Sequence, residues 1–222
     1  MAKTKSVYFC NNCGAESPKW IGRCPVCGEW NTYVEEVVST KSAAGGRGEF
    51  GTMEQSKVRP QRIDDIQITE ESRIDLGNGE LNRVLGGGLV RGSLVLIGGE
   101  PGIGKSTLIL QTVLALKGQK ILYVSGEESA RQLKLRAERI GGNAPDCYIV
   151  CETSLGDIFV HIRNVDPDIV VIDSIQTIAT SAMESSPGSV GQVRECAASL
   201  LKFAKQTNTP VLLVGHINLS LI

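Results

Sequence analysis

The sequence GGEPGIGKST occupies residues 98–107, between an apolar run and a segment of helical periodicity. It fits G-x-x-x-x-G-K-[ST], the pattern of a loop whose backbone N–H groups surround a phosphate. In such a loop Lys105 reaches the outer phosphates and Ser106 ligates Mg²⁺. A plain glycine turn is the alternative interpretation. The residues predicted to bind nucleotide are Gly99, Glu100, Pro101, Gly102, Ile103, Gly104, Lys105, Ser106 and Thr107.

The segments on either side of this loop predict an α/β fold. Continuous apolar runs, typical of strands buried on both faces, occur at 94–99, 121–126, 147–151, 169–173 and 211–215. Segments of helical periodicity lie between them at 104–117, 127–140, 154–164 and 189–207. This alternation predicts a mostly parallel sheet covered on both faces, which suits a P-loop NTPase core. Its ligand crevice would lie at the carboxyl ends of the strands.

Two carboxylates that follow predicted strands are candidates for catalysis beside Lys105. Asp173 ends the run DIVVID, where a P-loop enzyme holds the carboxylate that orients magnesium, although such an aspartate can also be a turn former. Glu127, in YVSGEES, could activate the attacking water. Alternatively, Glu127 and Glu128 interact with the dipole of the next helix. His216 follows the last strand and either contacts the γ-phosphate or has a capping role. ATP and Mg²⁺ are the expected ligands.

Four cysteines near the N-terminus have the spacing of a metal site. Cys10-x2-Cys13 and Cys24-x2-Cys27 can each place two thiolates on one side of a metal, and together they close a tetrahedral site. So short a segment cannot bury enough apolar surface to fold alone, which predicts that the bound Zn²⁺ is structural. A redox dithiol is the alternative.

Local amino-acid composition divides the chain into a zinc-binding segment at 1–36, a flexible linker at 37–59 and an NTPase domain at 60–222. The linker consists mainly of small and polar residues with little to bury. Both tryptophans, Trp20 and Trp30, lie in the first segment. We expect them to shield the thiolates, or alternatively to stack on a base or a protein partner.

Composition excludes some classes of protein. The net charge of −1 argues against general coating of nucleic acid, although a local basic groove remains compatible with it. No apolar run approaches the roughly 18 residues of a membrane helix, and the N-terminus lacks the apolar stretch of a secretory signal. The odd number of cysteines, with two Cys-x-x-Cys pairs, suits a reducing compartment. The sequence therefore predicts a soluble cytoplasmic protein.

Five segments, together with the linker, closely resemble the RadA (Sms) family of bacterial DNA repair proteins. They are PKWIGRCPVCGEWN (18–31), LGNGELNRVLGGGLVRGSLVLIGGEPGIGKSTL (76–108), YVSGEES (123–129), VVIDSIQT (170–177) and SSPGSVGQVRE (185–195). The phosphate loop alone indicates an NTPase, whereas the zinc segment combined with LNRVLGGG and SSPGSVGQVRE is much more selective. The resemblance extends from about residue 6 to His216.

This resemblance implies a RecA-like ATPase with an N-terminal C4 zinc finger. It further implies a hexameric ring that acts on single-stranded and branched DNA and drives branch migration beside the RecA recombinase. In the family, the loop corresponding to 179–190 faces the central channel of the ring. That loop contains neither arginine nor lysine here, so its role in DNA binding rests on the resemblance alone.

The sequence departs from the family at its C-terminal end. Relatives continue after Gly-His with further motifs and a Lon-protease-like domain, whereas this chain reads GHINLSLI. In RecA-like rings a basic residue of the neighbouring subunit completes the active site, and the family's candidates lie beyond residue 222. We therefore expect a truncated form that binds nucleotide better than it hydrolyses it. Without later strands, 211–215 should also form an exposed sheet edge.

Three hypotheses remain open at the level of sequence. The first is a DNA-dependent ATPase of recombinational repair, for which Glu127 must be catalytic. The second is a zinc-bearing switch that binds ATP without turnover and signals to a protein partner. The third is a structural zinc protein with a decayed ATPase domain, and the intact segment from Gly99 to Ser106 argues against it.

Overall fold

A computed structural model of the chain describes residues 4–39, 62–65, 73–141 and 146–216. The strands are β1 Thr4–Cys10, β2 Glu16–Ser17, β3 Tyr33–Ser39, β4 Arg73–Ile74, β5 Leu89–Val90, β6 Leu94–Gly99, β7 Ile121–Ser125, β8 Cys147–Cys151, β9 Ile169–Asp173 and β10 Val211–His216. The helices are α1 Gly79–Val84, α2 Lys105–Ala115, α3 Ala130–Arg139, α4 Leu155–Val165 and α5 Val190–Thr207. Short 3-10 helices occur at Ile63–Asp65 and Ile175–Thr177.

A parallel sheet forms the centre of the larger part of the chain. Its strand order is β6-β10-β9-β7-β8, and every neighbouring pair is parallel. Each of these strands coincides with one of the apolar runs, within one residue at either end. Since β7, β9 and β10 have a neighbour on both sides and helices on both faces, they are almost entirely apolar up to their last residue. The predicted α/β fold with a mostly parallel sheet is confirmed.

Side chains of the sheet alternate between two hydrophobic clusters. One face buries Tyr123 and Ile169 with side chains of α2 and α3. The other face buries Leu122 and Val170 with side chains of α4 and α5. This three-layer arrangement fixes the carboxyl ends of the strands at one edge of the sheet. No helix in the described ranges is long and apolar enough to cross a membrane.

The expectation of an exposed edge at 211–215 is wrong. β10 lies inside the sheet, between β6 and β9, and its residues Val211 to Gly215 are buried. The strand that precedes the phosphate loop, β6, is the edge strand instead, and Leu96 on it is 51% exposed. Sequence order does not determine position in a parallel sheet, because crossover helices can return the chain between two existing strands.

A short helix and a two-stranded ladder before β6 were not predicted. Asn78 caps α1, because its side chain accepts hydrogen bonds from the backbone N–H groups of Glu80 and Leu81. The strands β4 and β5 pair antiparallel. The helix has only six residues and buries none of them, so it shows no apolar periodicity that a sequence reading could detect.

The N-terminal part, which we call the ribbon (residues 4–39), is a three-stranded antiparallel sheet of order β2-β1-β3. Its hydrophobic cluster consists of Cys10, Cys24 and Tyr33 with a few partly buried neighbours. β3 runs to Ser39, so the first three residues of the predicted linker belong to a strand. The rest of that linker lies outside the described residues.

Candidate functional site

The phosphate-loop sequence passes from β6 into α2 through backbone conformations that favour glycine. Gly102 and Gly104 have φ angles of 81° and 94°, in the left-handed region where a β-carbon causes strain. Gly104 immediately precedes α2, so the loop adjoins the positive end of the helix dipole. The chain thus folds as strand, loop and helix, the arrangement in which this sequence pattern binds phosphate.

Lys105 is buried although it carries a charge. Its ammonium group donates hydrogen bonds to the carbonyl oxygens of Gly99 (2.8 Å) and Glu100 (2.7 Å). It also lies 3.3 Å from Nδ1 of His216, at the end of β10. These acceptors compensate the ammonium for the loss of water. A phosphate entering the loop would compete with them for the same N–H groups.

Ser106 and Tyr123 hold the Asp173 carboxylate from two sides. The Ser106 hydroxyl donates to Oδ1 at 2.9 Å, and the phenol of Tyr123 donates to Oδ2 at 2.5 Å. Burial, and then the charge of Asp173, raise the pKa of Tyr123 well above its ordinary value, so the phenol remains a donor. Sequence reasoning missed Tyr123. The sequence feature that could have identified it is a tyrosine within a strand predicted to be buried on both faces, because a buried O–H needs a hydrogen-bond partner.

Glu127 lies at the end of β7 and faces the neighbouring strands. Its Oε1 accepts a hydrogen bond from the Ser174 hydroxyl at 2.7 Å and lies 3.6 Å from Nε2 of His216. The side-chain amide of Gln176 donates to the His216 carbonyl oxygen at 3.1 Å. His216 therefore stands between Lys105 and Glu127, with one ring nitrogen near each of them.

The adjacent Glu128 has different surroundings. Its carboxylate forms an ion pair with Arg136 of α3. The helix begins at Ala130, and its N-cap is Ser129, which forms a capping box with Gln132. Neither glutamate caps this helix. The two neighbouring carboxylates thus face different partners, and only Glu127 contacts residues at the ends of β9 and β10.

The structure brings the predicted catalytic residues to one edge of the sheet. Asp173 is paired in register with Ser125 of β7, and Gly99 with His216. The remaining loop residues Pro101, Ile103 and Thr107 are exposed beside them. Ser106 and Asp173 present two oxygen atoms 2.9 Å apart, and oxygen ligands are those that Mg²⁺ prefers. The residues present therefore fit a magnesium–nucleotide complex.

The four predicted zinc ligands converge in the ribbon. The Sγ atoms of Cys10, Cys13, Cys24 and Cys27 all lie within 4.8 Å of one another. Two pairs are 3.7 Å and 3.5 Å apart. A tetrahedral ion with Zn–S bonds of about 2.3 Å requires sulfurs about 3.8 Å apart. The cluster therefore fits Zn²⁺ with little rearrangement.

Backbone amides favour the thiolate form of Cys24, whereas burial disfavours it at Cys13. Each Cys-x-x-Cys pair forms a turn closed by a following glycine, whose N–H donates to the carbonyl of Cys10 or Cys24. Burial opposes ionisation of the Cys24 thiol, but N–H groups of Cys27 and Val26 outweigh it and lower its pKa to about 6. Burial raises the pKa of the neighbouring Cys13 thiol to about 12. Thiolate is the form that binds zinc.

The expectation that both tryptophans shield the thiolates is wrong. Trp20 is 53% exposed and Trp30 is 67% exposed. Cys10 and Cys24 are instead covered by Tyr33 and by the partly buried Tyr8 and other neighbours in the ribbon cluster. The indole rings are therefore available at the surface of the ribbon.

Comparisons with known proteins agree with both sites. A family model described as an AAA domain matches residues 57–219. The chain belongs to this AAA domain family. A second family model, described as a rubredoxin metal binding domain, matches residues 8–35. A domain of the first kind binds nucleotide, and the second match supports zinc at the cysteine cluster.

Curated relatives confirm the resemblance to RadA. The chain is 52% identical over 219 residues to DNA repair protein RadA of Bacillus subtilis, covering 98% of this chain and 48% of the relative. It is 47% identical over 218 residues to DNA repair protein RadA of Pseudomonas aeruginosa, again covering 98% of this chain and 48% of the relative. The chain spans about half the length of the curated relatives it matches.

Proposed function

We propose that this chain is the ATP-hydrolysing and zinc-binding part of a DNA-dependent ATPase of recombinational repair. The observation that carries the proposal is the convergence of Lys105, Ser106, Glu127 and Asp173 at the carboxyl ends of neighbouring strands. The match to the AAA domain family and the similarity to DNA repair proteins support it.

In this proposal the loop and Lys105 bind the phosphates of ATP. The ammonium exchanges its bonds to Gly99 and Glu100 for bonds to phosphate oxygens, which are stronger because both partners are charged. Ser106 and Asp173 would hold Mg²⁺, which neutralises charge on the phosphates when bound. Tyr123 keeps the Asp173 carboxylate in a fixed orientation through its hydrogen bond.

Glu127 is proposed to orient the attacking water and accept its proton. Its bond from Ser174 and its closeness to His216 fix the carboxylate in position, which suits a general base. His216 also lies near Lys105, so it can transmit the state of the phosphate-binding lysine to the glutamate.

The partners follow from the resemblance to RadA. They are single-stranded and branched DNA, the RecA recombinase and further copies of the chain in a hexamer. The proposed location is the cytoplasm, because its reducing conditions suit zinc-bound thiolates. The segment 179–190, to which the resemblance assigns the channel-facing role, is tied to the start of α5. Gln192, buried at the start of α5, accepts from Thr180 N–H and donates to the carbonyls of Thr180, Met183 and Ser185. It anchors the base of this segment.

The deciding experiment measures ATP turnover with and without single-stranded DNA, beside sedimentation of the same sample. We expect Glu127→Gln to lower turnover by at least about 100-fold, as for loss of a general base, and to leave ATP binding intact. Glu128→Gln is the matched control, because its carboxylate faces Arg136 instead of the site. Turnover clearly above background in the wild type and equal to it in the Glu127 variant would refute the catalytic assignment.

A nucleotide-gated switch is the second candidate. The contacts of Lys105 with the carbonyls of its own loop favour this candidate, since ATP must break them in order to bind the ammonium. If the chain is a switch, Mg–ATP should bind and change the rate at which a protease cleaves the loop. DNA should not stimulate ATP turnover in that case. Failure of the chain to bind ATP at all would exclude both candidates.

A further inference from the structure

The two tryptophans of the chain both lie in the ribbon, and both are more than half exposed. A β-carbon placed at Gly22 would lie 3.7 Å from Cη2 of Trp20 and 3.8 Å from Cζ3 of Trp30. Both indoles therefore border the same glycine. We call this patch, with the two rings next to one backbone position, the indole face (Trp20, Gly22 and Trp30).

One cation lies over a ring of the indole face, and a second is adjacent to Trp20 in sequence. The guanidinium carbon of Arg23 lies 5.8 Å from the ring centroid of Trp30, a distance at which a cation is attracted to the ring. Its Nε donates to the Gly28 carbonyl at 2.8 Å, which holds the side chain in place. Lys19, next to Trp20 in sequence, is exposed. Among the described residues, neither cation forms an ion pair with a carboxylate.

We propose that the indole face binds single-stranded nucleic acid, with bases stacked on Trp20 and Trp30 and phosphates next to Lys19 and Arg23. Aromatic rings beside cations that lack carboxylate partners are the combination that binds unpaired bases and their backbone. A duplex hides the faces of its bases, so stacking on the indoles requires unpaired bases. The inference deepens the proposed function, on which it rests.

Intrinsic fluorescence tests this inference directly, because every indole of the chain belongs to the indole face. The 222-residue chain is titrated at low salt with an oligothymidylate of about 16 nucleotides, which can fill a typical single-strand site. Binding is followed in parallel by the anisotropy of a label on the DNA. We expect tryptophan emission to be quenched with the same midpoint as the anisotropy change.

Trp30 is the better position for variants, because the Trp20 indole N–H donates to the Tyr33 carbonyl and also supports the ribbon. Trp30→Leu keeps apolar volume and loses the large aromatic face, whereas Trp30→Phe keeps a ring. We expect the leucine variant to bind the oligonucleotide at least about fivefold more weakly, and the phenylalanine variant to stay closer to the wild type. Val34→Ala, which trims another exposed apolar side chain of the ribbon, should bind as the wild type does.

Three results would overturn the inference. Anisotropy that reports binding while tryptophan emission stays constant would place the DNA elsewhere, with the proposed function intact. Absence of DNA binding would refute the inference and the DNA-dependent function together. Equal weakening by leucine and phenylalanine would exclude ring stacking and favour a contact with a protein. The wild-type titration requires no variant, so the inference remains testable even if Trp30→Leu loses zinc.

Discussion

The ribbon and the parallel sheet are stabilised in different ways. The sheet packs apolar side chains into a cluster on each face, with residues such as Ile172 and Leu200 fully buried. The ribbon's cluster consists of two zinc-ligand cysteines and Tyr33, while its largest side chains remain exposed. A segment of this size cannot bury enough surface to fold alone, so its metal replaces a core. A different perturbation should therefore unfold each part.

Removal of zinc should have the largest effect, because structural zinc contributes on the order of 10 kcal/mol to a small domain. We expect a strong chelator to collapse the amide resonances of the ribbon to unfolded positions in a nuclear magnetic resonance spectrum. Resonances of the parallel sheet should keep their dispersion. Ribbon resonances that stay dispersed without metal would show that burial alone holds this segment.

A pair of exposed thiols provides the matched control for this prediction. Cys13 belongs to the metal cluster, whereas Cys151 lies at the end of β8, and both are exposed. Cys13→Ser should therefore lose zinc and unfold the ribbon, whereas Cys151→Ser should retain the metal of the wild type. Metal content of the purified variants, measured after denaturation, distinguishes the two.

A cavity in the sheet's own core should have the next largest effect. Leu200 of α5 is fully buried, and its neighbour Leu201 is 38% exposed. We expect Leu200→Ala to lower the free energy of unfolding by about 2–5 kcal/mol, and Leu201→Ala by clearly less. Urea titration followed by circular dichroism measures both, and zinc content should not change. Equal losses for the two variants would contradict the burial assigned to α5.

Sequence patterns predicted the strands of the sheet closely, because a strand buried on both faces must be apolar throughout. They did not predict which strand lies at the edge. β6 and β10 have similar apolar sequences, LVLIGG and VLLVGH, although one is an edge strand and the other is central. Local composition reports burial on the faces of a sheet and contains little information about lateral neighbours.

The zinc ligands and the phosphate loop were predictable because each depends on short-range spacing. The partner of Asp173 was not, because Tyr123 lies 50 residues earlier and becomes its neighbour only through strand pairing. Exposure of Trp20 and Trp30 was also missed. An aromatic residue in a metal-stabilised segment need not be buried, because the metal already supplies the stability that burial would give.

The smallest predicted effect concerns Tyr123, which lies in the apolar core of the sheet and donates a hydrogen bond to the Asp173 carboxylate. Tyr123→Phe should lower the free energy of unfolding by about 2 kcal/mol, because a hydrogen bond to a charged group contributes about 1.5–3 kcal/mol. Tyr148→Phe, on the neighbouring β8 with the side chain 47% exposed, is the matched control and should change stability by less than about 0.5 kcal/mol.

A double-mutant cycle separates the hydrogen bond from the loss of the hydroxyl itself. If Tyr123 stabilises the fold through Asp173, then Tyr123→Phe should cost much less in an Asp173→Ala background, with a coupling of at least about 1 kcal/mol. Additive effects, measured by urea titration, would mean that the phenol acts on packing alone. Coupling would show that neutral O–H donors stabilise the buried carboxylate of the sheet. In the ribbon, a metal stabilises the thiolates instead. The two parts of the chain would therefore accommodate buried charge in different ways.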